Sequence, residues 1–347
     1  MTPHSLESAL SIVVPVHNDA CNLVACLAAL QRAGVQPLEV IVVDDASVVD
    51  VSSIANEAGA RYVRLAKQVG PAGARNAGWR AAQGEIVLFI DSDVVVSPDA
   101  IRGLMQRFRL RPDVIGVFGS YDDSPGGQSF YSQFRNLLHH YVHQTSSEEA
   151  RTFWTGFGAI RRSALESAGG FDEQIEGLED VELGMRLSAG GARFYLDKSL
   201  QVKHLKNWTL SSTVSTDIFR RAVPWTRLLL TAKRVPADLN LTYAARFSAL
   251  LIAAFVVTIC LVVAVAVRWL AWSLVPLLFS AALLGACLIA LNCRFYAFLL
   301  GKHGFVFACV SVAAHWLFYL YSGATFAVMW IAHFTLRVWK VRLRSGG

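Results

Sequence analysis

A chain of 347 residues has room for a catalytic domain and an appendage, but a hydrophobic fraction of 54% is too high for a wholly water-soluble protein, so part of it is expected to leave water. All 26 acidic residues precede Leu239, whereas eight of the 32 basic ones (Arg246, Arg268, Arg294, Lys302, Arg337, Lys340, Arg342 and Arg344) follow Asp238, so the overall +6 belongs to the apolar C-terminal third and the rest is near neutral. That distribution argues for an anionic membrane surface and against a nucleic-acid-binding face.

Met1 to Leu10 carries no secretory signal pattern, so the large N-terminal part is expected in the cytosol. Ser11 to Val16 is a short apolar, β-rich run closed by the turn and helix-start residues His17, Asn18 and Asp19. Asn22 to Ala33 has helical spacing (Leu23, Cys26, Leu27, Leu30), with Gly34 as its stop. Glu39 to Val43 predicts a second strand, closed by Asp44, Asp45 and Ser47. Arg61 to Leu65 predicts a third, Gly70 to Gly73 a loop, Ala74 to Gln83 a helix, and Glu85 to Ile90 a fourth strand. Such alternation implies a parallel sheet covered by helices on both faces.

Asp91-Ser92-Asp93 follows the fourth strand directly. Taken alone it reads equally as a polar turn or helix cap and as a pair of carboxylates for a divalent cation. Polar and acidic residues at three successive strand ends favour the second reading, because ligands of open α/β sheets bind beyond the carboxyl ends of the strands. A glycine-rich dinucleotide fingerprint and a Walker lysine loop are both missing, which disfavours NAD and ATP chemistry.

Further on, Val114 to Phe118 and Thr152 to Ile160 read as strands and Ser129 to Thr145 as a helix. His139, His140 and His143 on that helix read as structural rather than metal-binding, since the i, i+4 pair lacks an accompanying Glu. Glu179 and Asp180 open a helix running to Ala189, where carboxylates gain from the helix dipole and where one of them can also serve as a general base. His204 stands at a strand-like end. The six cysteines show no zinc or redox spacing and read as small apolar residues.

About 215–234 mixes Arg220, Arg221, Arg227 and Lys233 with Phe219, Val223, Trp225 and Leu228 to Leu230, as an interfacial helix does. Phe247 to Val267 and Ala271 to Cys293 are uncharged and long enough to cross a hydrocarbon core of about 30 Å. Phe305 to Phe334, interrupted by His315 and His333, is either a third span or a bent, partly interfacial segment. With the N-terminal part in the cytosol, Arg294 and Lys302 fall inside as the positive-inside tendency asks, whereas a third crossing carries the Arg337 to Arg344 cluster outside. The expected division is a domain at 1–235 and a membrane region at 236–347, with spans near 245–267, 271–293 and 305–334.

The ordered set Val13-Val14-Pro15-Val16-His17-Asn18, Val43-Asp44-Asp45-Ala46-Ser47, Gly73-Ala74-Arg75-Asn76-Ala77-Gly78, Asp91-Ser92-Asp93, Gly169-Gly170-Phe171-Asp172-Glu173, Glu179-Asp180 and His204 resembles the family 2 glycosyltransferases, over about Ser11 to Trp208. The resemblance implies an α/β GT-A fold, a Rossmann-like mixed sheet, followed by transmembrane helices. It implies inverting transfer from a nucleoside-diphosphate sugar with Mg²⁺ or Mn²⁺. Pro15, Asp44 and Asp45 would border base and ribose, Arg75 and Asn76 approach the donor, Asp91 contact it, Asp93 and His204 bind metal, and Asp180, with Glu179 beside it, supply the base. Trp154, Gly156 and Trp225 are expected on the acceptor side. The processive members' Gln-x-x-Arg-Trp motif has as its nearest counterpart Arg221-Ala222-Val223-Pro224-Trp225, which departs from it, so polymer extrusion is not expected. The expected acceptor is a lipid or lipid-linked molecule at the cytosolic leaflet of the inner membrane. The alternatives are a sugar nucleotidyltransferase and a non-enzymatic nucleotide-binding subunit of a transporter.

Overall fold

The computed structural model describes residues 9–231, 242–267 and 274–345. Most of Met1 to Leu10, Arg268, the end of the 215–234 segment, the 235/236 division and the start of the 271–293 span therefore lie outside the described residues. By packing, the chain forms two compact units that divide between Thr209 and Leu210.

In the first unit, β1 (Leu10–Val16), α1 (Ala20–Arg32), β2 (Glu39–Asp44), α2 (Ser52–Glu57), β3 (Arg61–Arg64), α3 (Gly70–Ala81) and β4 (Ile86–Ile90) make the parallel half of a sheet. After β5 (Val94–Val95) and α4 (Pro98–Leu110) come β6 (Gly116–Tyr121), α5 (Phe130–Thr145), β7 (Glu149–Ala150), β8 (Phe157–Arg161), α6 (Arg162–Ala168), α7 (Glu179–Ala189) and β9 (Phe194–His204). The strand order is β3-β2-β1-β4-β8-β6-β9-β5, with β7 pairing to β9. Strands β4 and β6 flank β8 antiparallel to it, which makes the sheet mixed. Ile12, Val14, Leu88 and Ile90 are buried within one continuous core, as strands covered on both faces require.

Two registers position the site. β1 pairs with β2 as far as Val16↔Asp44, but with β4 only as far as Val13↔Phe89. Pro15, which has no N–H to donate, thus stands where β4 has already turned away, and a crevice opens between β1 and β4 where the strand order reverses. At the far side, Val94 of β5 pairs with His204 of β9, which sets that histidine beside Asp93.

Three local expectations need correction. Gly70 to Gly73 is the first turn of α3 rather than a loop, with Pro71 in a first-turn position where the missing N–H costs nothing. Thr152 to Gly156 is not strand; β8 begins at Phe157, because the residues before it fold over toward α7. Helix α4 is additional. Its signals are present in the sequence: Ser97 accepts from the Ala100 N–H as N-cap, Pro98 follows, and Ile101, Leu104, Met105 and Phe108 form the buried stripe.

In the second unit, α8 (Leu210–Asp217), one π-helical turn (Ile218–Ala222) and α9 (Val223–Thr231) cover the expected interfacial segment and begin earlier than predicted. Among the described residues three helices are long and apolar enough to cross a membrane: α10 (Tyr243–Val267), α11 (Leu274–Leu291), and α12 (Cys293–Ser345) over Cys293–Thr335. The stretch with Arg294 and Lys302, expected as a connection, is helical, and α12 breaks at Gly304, whose φ of 80° suits a residue without Cβ. Inside this unit Asn292 donates to Ser248 (3.0 Å) and accepts from the Tyr319 hydroxyl (3.1 Å), tying all three helices through one buried amide.

Candidate functional site

The crevice is lined from the ends of β1, β2 and β4. On the β2 side the Asp44 carboxylate is wholly buried and accepts from the Ser47 N–H (2.8 Å), the Tyr62 hydroxyl (2.6 Å) and the Arg64 guanidinium (2.7 Å). Burial pushes this carboxyl up, but the bonds from Ser47 and Tyr62 and the Arg64 charge outweigh it and hold it below its ordinary value. Asp45 accepts from the Val69 and Gly70 N–H groups (2.7 and 2.9 Å), so it caps α3. Ser47 accepts from the Asn18 N–H while Asn18 accepts from Val48, which ties the β1 and β2 loops together; Asn18 adopts φ of 52° to do so.

Arg75 lies at the bottom of the site and is 5% exposed. Its guanidinium donates to Glu179 and, at 2.7 Å, to Asp91, joining the end of β4 to the start of α7. Burial alone would lower the arginine pKa; Asp91 and Glu179 hold it above its ordinary value, so it stays charged. Glu179 also accepts from the Gly177 N–H (2.8 Å), and burial leaves its carboxyl above the usual range despite Arg75. Asn76, expected near the donor, instead spends its amide on the loop after α6: it donates to the Phe171 carbonyl and Glu173 and accepts from the Phe171 N–H and the Trp79 indole.

At the β4 exit, the Asp93 carboxylate faces His204 Nε2 at 3.5 Å and Lys206 Nζ at 3.8 Å. Burial raises the Asp93 carboxyl, and the hydrogen bond and charge of His204, with Lys206, more than reverse that, leaving it below its ordinary value. Tyr121 stacks on His204 with ring centres 4.1 Å apart and 9° between the planes, fixing the imidazole. Asp19 stands near; burial first, then the Asp93 charge, raises its carboxyl. A carboxylate and an imidazole nitrogen aimed at each other suit a divalent cation. Among the described residues no three His, Cys, Asp or Glu side chains gather as a closed cage, so the remaining ligands would come from water and a phosphate-bearing ligand.

Opposite, Asp180 is only part-buried and opens α7. It accepts from the Thr155 N–H (3.0 Å) and Thr155 hydroxyl (3.1 Å), and from the Val181 N–H (2.8 Å). Trp154 lies edge-on to Tyr121 and folds back over Gly156, where a Cβ would meet its ring at 2.3 Å. Trp225 belongs to α9 in the second unit. The three histidines of α5 serve the fold in part: His140 and His143 bond the Tyr121 and Gly119 carbonyls of β6. Sequence reasoning missed Tyr62, Arg64, Tyr121, Thr155 and Lys206. All lie outside acidic motifs: strand pairing brings in Tyr62, Arg64 and Tyr121, and the connections before β8 and after β9 bring in Thr155 and Lys206.

Residues 11–169 match the family described as Glycosyl transferase family 2. Over 215 residues, 57% of this chain, the sequence is 30% identical to the pre-mycofactocin glycosyltransferase of Mycobacterium tuberculosis, covering 44% of that protein. Over 133 residues, 36% of this chain, it is 31% identical to the glycosyltransferase GlyG of Streptococcus pneumoniae, again covering 44%. The chain thus spans less than half the length of these two relatives. Among solved structures, the mannosyltransferase PcManGT of Pyrobaculum calidifontis in complex with GDP-Man and Mn²⁺ shares the fold, with a TM-score of 0.54, 18% identity, and coverage of 92% of this chain and 85% of that one.

Proposed function

We propose that the protein, whose residues 11–169 match Glycosyl transferase family 2 and which shares the GT-A fold, is a membrane-anchored, metal-dependent inverting glycosyltransferase. It moves a sugar from a nucleoside-diphosphate sugar to a lipid or lipid-linked acceptor at the cytosolic leaflet of the inner membrane. The observation that carries the proposal is the bridge from Arg75 to both Asp91 and Glu179, which draws the start of α7, and Asp180 with it, toward the crevice that ends at Asp93 and His204. Three apolar helices support membrane anchoring.

Asp44, Tyr62 and Arg64 form the wall where base and ribose would lie, and Asp45 shapes it by anchoring α3. Asp93 and His204 would hold a divalent cation, which when bound supplies counter-charge to a diphosphate. The site needs it, because Asp19, Asp91, Asp93, Glu179 and Asp180 repel an anion and Arg75 is already bonded to two of them.

Asp180 is the base. Thr155 fixes its carboxylate through two hydrogen bonds, and the oxygens keep lone pairs for one more. An acceptor hydroxyl gives its proton to Asp180 as its oxygen forms the new bond to the anomeric carbon. The bond to the diphosphate breaks on the opposite face with its electron pair leaving on phosphate oxygen, so no covalent enzyme intermediate is needed. Glu179, held by Arg75 and the Gly177 N–H, is kept for structure. Asp180→Asn is expected to lower transfer by about 10² to 10⁴ with donor affinity little changed. Transfer is read by mass spectrometry of lipid products from the purified protein, given nucleotide sugars and membrane lipid extract. Near-normal transfer by the variant would overturn the base assignment and favour an acceptor that is already an anionic phosphate.

A further inference from the structure

We propose that Lys206 is a further cation of the donor site, holding the Asp93 carboxylate while no metal is bound and turning to the nucleotide's diphosphate once Asp93 is occupied. The inference rests on the donor-site reading above. Lys206 Nζ lies 3.8 Å from the Asp93 oxygen that also faces His204. That separation is longer than a hydrogen bond, so no directed bond ties the ammonium to the carboxylate and its release costs little.

The backbone around it is fixed. The Leu205 N–H donates to the Asp93 carbonyl (2.8 Å), and the Trp208 N–H donates to Ser132 (2.8 Å), so the four-carbon stem of Lys206 swings from a rigid base. From the same position its ammonium lies 5.1 Å from the centre of the Trp208 ring, which the Arg135 guanidinium approaches at 4.1 Å, so the ring face tolerates cations beside the carboxylate. Arg75 and Lys206 differ in freedom. Arg75 has 7% of its side chain exposed and is bonded to Asp91 and Glu179, whereas Lys206 has 48% exposed. An ammonium has three donors and suits a phosphate as a point charge. With a divalent cation held by Asp93 and His204, Lys206 would lose its pairing with that carboxylate, and its ammonium would be free to serve a diphosphate bound at the same place.

The test uses the full chain in detergent, with Lys206→Gln, Lys206→Met and Lys206→Arg beside the wild type, and thermal melts to show that each is folded. Binding of UDP, GDP, ADP, CDP and dTDP is titrated with Mn²⁺ and again with EDTA, and Mn²⁺ binding without nucleotide is followed by electron paramagnetic resonance. The nucleotide that binds the wild type is expected to bind Lys206→Gln and Lys206→Met about tenfold more weakly, with Lys206→Arg retaining most of the affinity. Mn²⁺ alone should bind the two neutral variants more tightly, on the order of threefold, because a competing charge has gone. Nucleotide affinities within twofold of wild type, or weaker Mn²⁺ binding, would overturn the role of Lys206. If the wild type with Mn²⁺ binds none of the five nucleotides, the donor-site reading itself falls, and this inference with it.

Discussion

Arg75 illustrates why a buried charge here is a matter of partners rather than of position. With Asp91 and Glu179 satisfied it is tolerated; without it, Glu179 is left as a nearly enclosed carboxylate beside Asp180. Arg75→Met is therefore expected to destabilise the first unit by about 3–5 kcal/mol, seen as a lower denaturation midpoint. Arg75→Lys should not rescue it, since one ammonium cannot reproduce the fork that spans both acids. A melting curve of Arg75→Lys superimposable on wild type would contradict the bridging role. Asp93→Ala is expected to remove the metal dependence of nucleotide binding, because the remaining imidazole cannot hold a hard cation alone. Unchanged stimulation by Mn²⁺ in that variant would move the metal site elsewhere. At this scale the sequence makes every strand-end acid look alike. Asp45 differs from Asp93 in that the Val69 and Gly70 N–H groups already use its carboxylate, which depends on how α3 approaches the end of β2.

At the scale of elements, α3 is held at both ends of its contact with the sheet. Asp45 caps its first turn, and Gly78 lies so close to β1 that a Cβ there would come within 2.3 Å of Val13. Asp45→Ala should cost about 0.5–2 kcal/mol as a lost cap and loosen the loop that carries Val69, read as faster amide exchange at Val69 and Gly70. Exchange unchanged at those two amides would contradict the capping role. Helix α5 brings a pH dependence. His143 is buried against Gly119 of β6, and burial lowers its pKa from 6.5 to about 4. The unfolded imidazole takes up a proton near pH 6.5 and the folded one only near pH 4, so between them the unfolded chain binds more protons and stability falls as the pH falls. The loss across that window is on the order of 3 kcal/mol. His143→Asn, which keeps a donor toward the Gly119 carbonyl, should flatten it in urea titrations at pH 7 and pH 4.5; an unchanged slope would assign the effect to other groups.

For the whole molecule, packing divides the chain at Thr209, whereas the acidic residues end later, at Asp238. The complete sheet, the Arg75 bridge and the Asp93–His204 pair all lie before that packing boundary. A fragment ending at Thr209 is therefore expected to fold and bind a nucleoside diphosphate without detergent. A folded fragment that binds none would show that residues after Thr209 complete the donor site. The part of α12 from Phe305 to Thr335 is 31 residues long, about 46 Å as a helix, which exceeds a hydrocarbon core of about 30 Å and matches core plus headgroups. Spin labels along it should report a central stretch inaccessible to aqueous quenchers; accessibility throughout would exclude a crossing.

The sequence by itself determined what depends on neighbours along the chain. The apolar runs of β1, β2 and β4 are continuous because both faces are covered, the helices follow 3.6-residue periods, and the uncharged stretches are long enough to cross a bilayer, so the fold class and the long apolar helices were legible. The acids and histidine of the candidate site stand at strand or helix ends, a position that the sequence alone makes visible. The tertiary structure decided which of them remain available. Long-range pairing brings His204 to Asp93 and Thr155 to Asp180, Tyr121 under His204, and Lys206 beside the same carboxylate. None of these partners has a local signature, because a hydroxyl, a ring or an ammonium acquires its role only from the charge that folding places next to it.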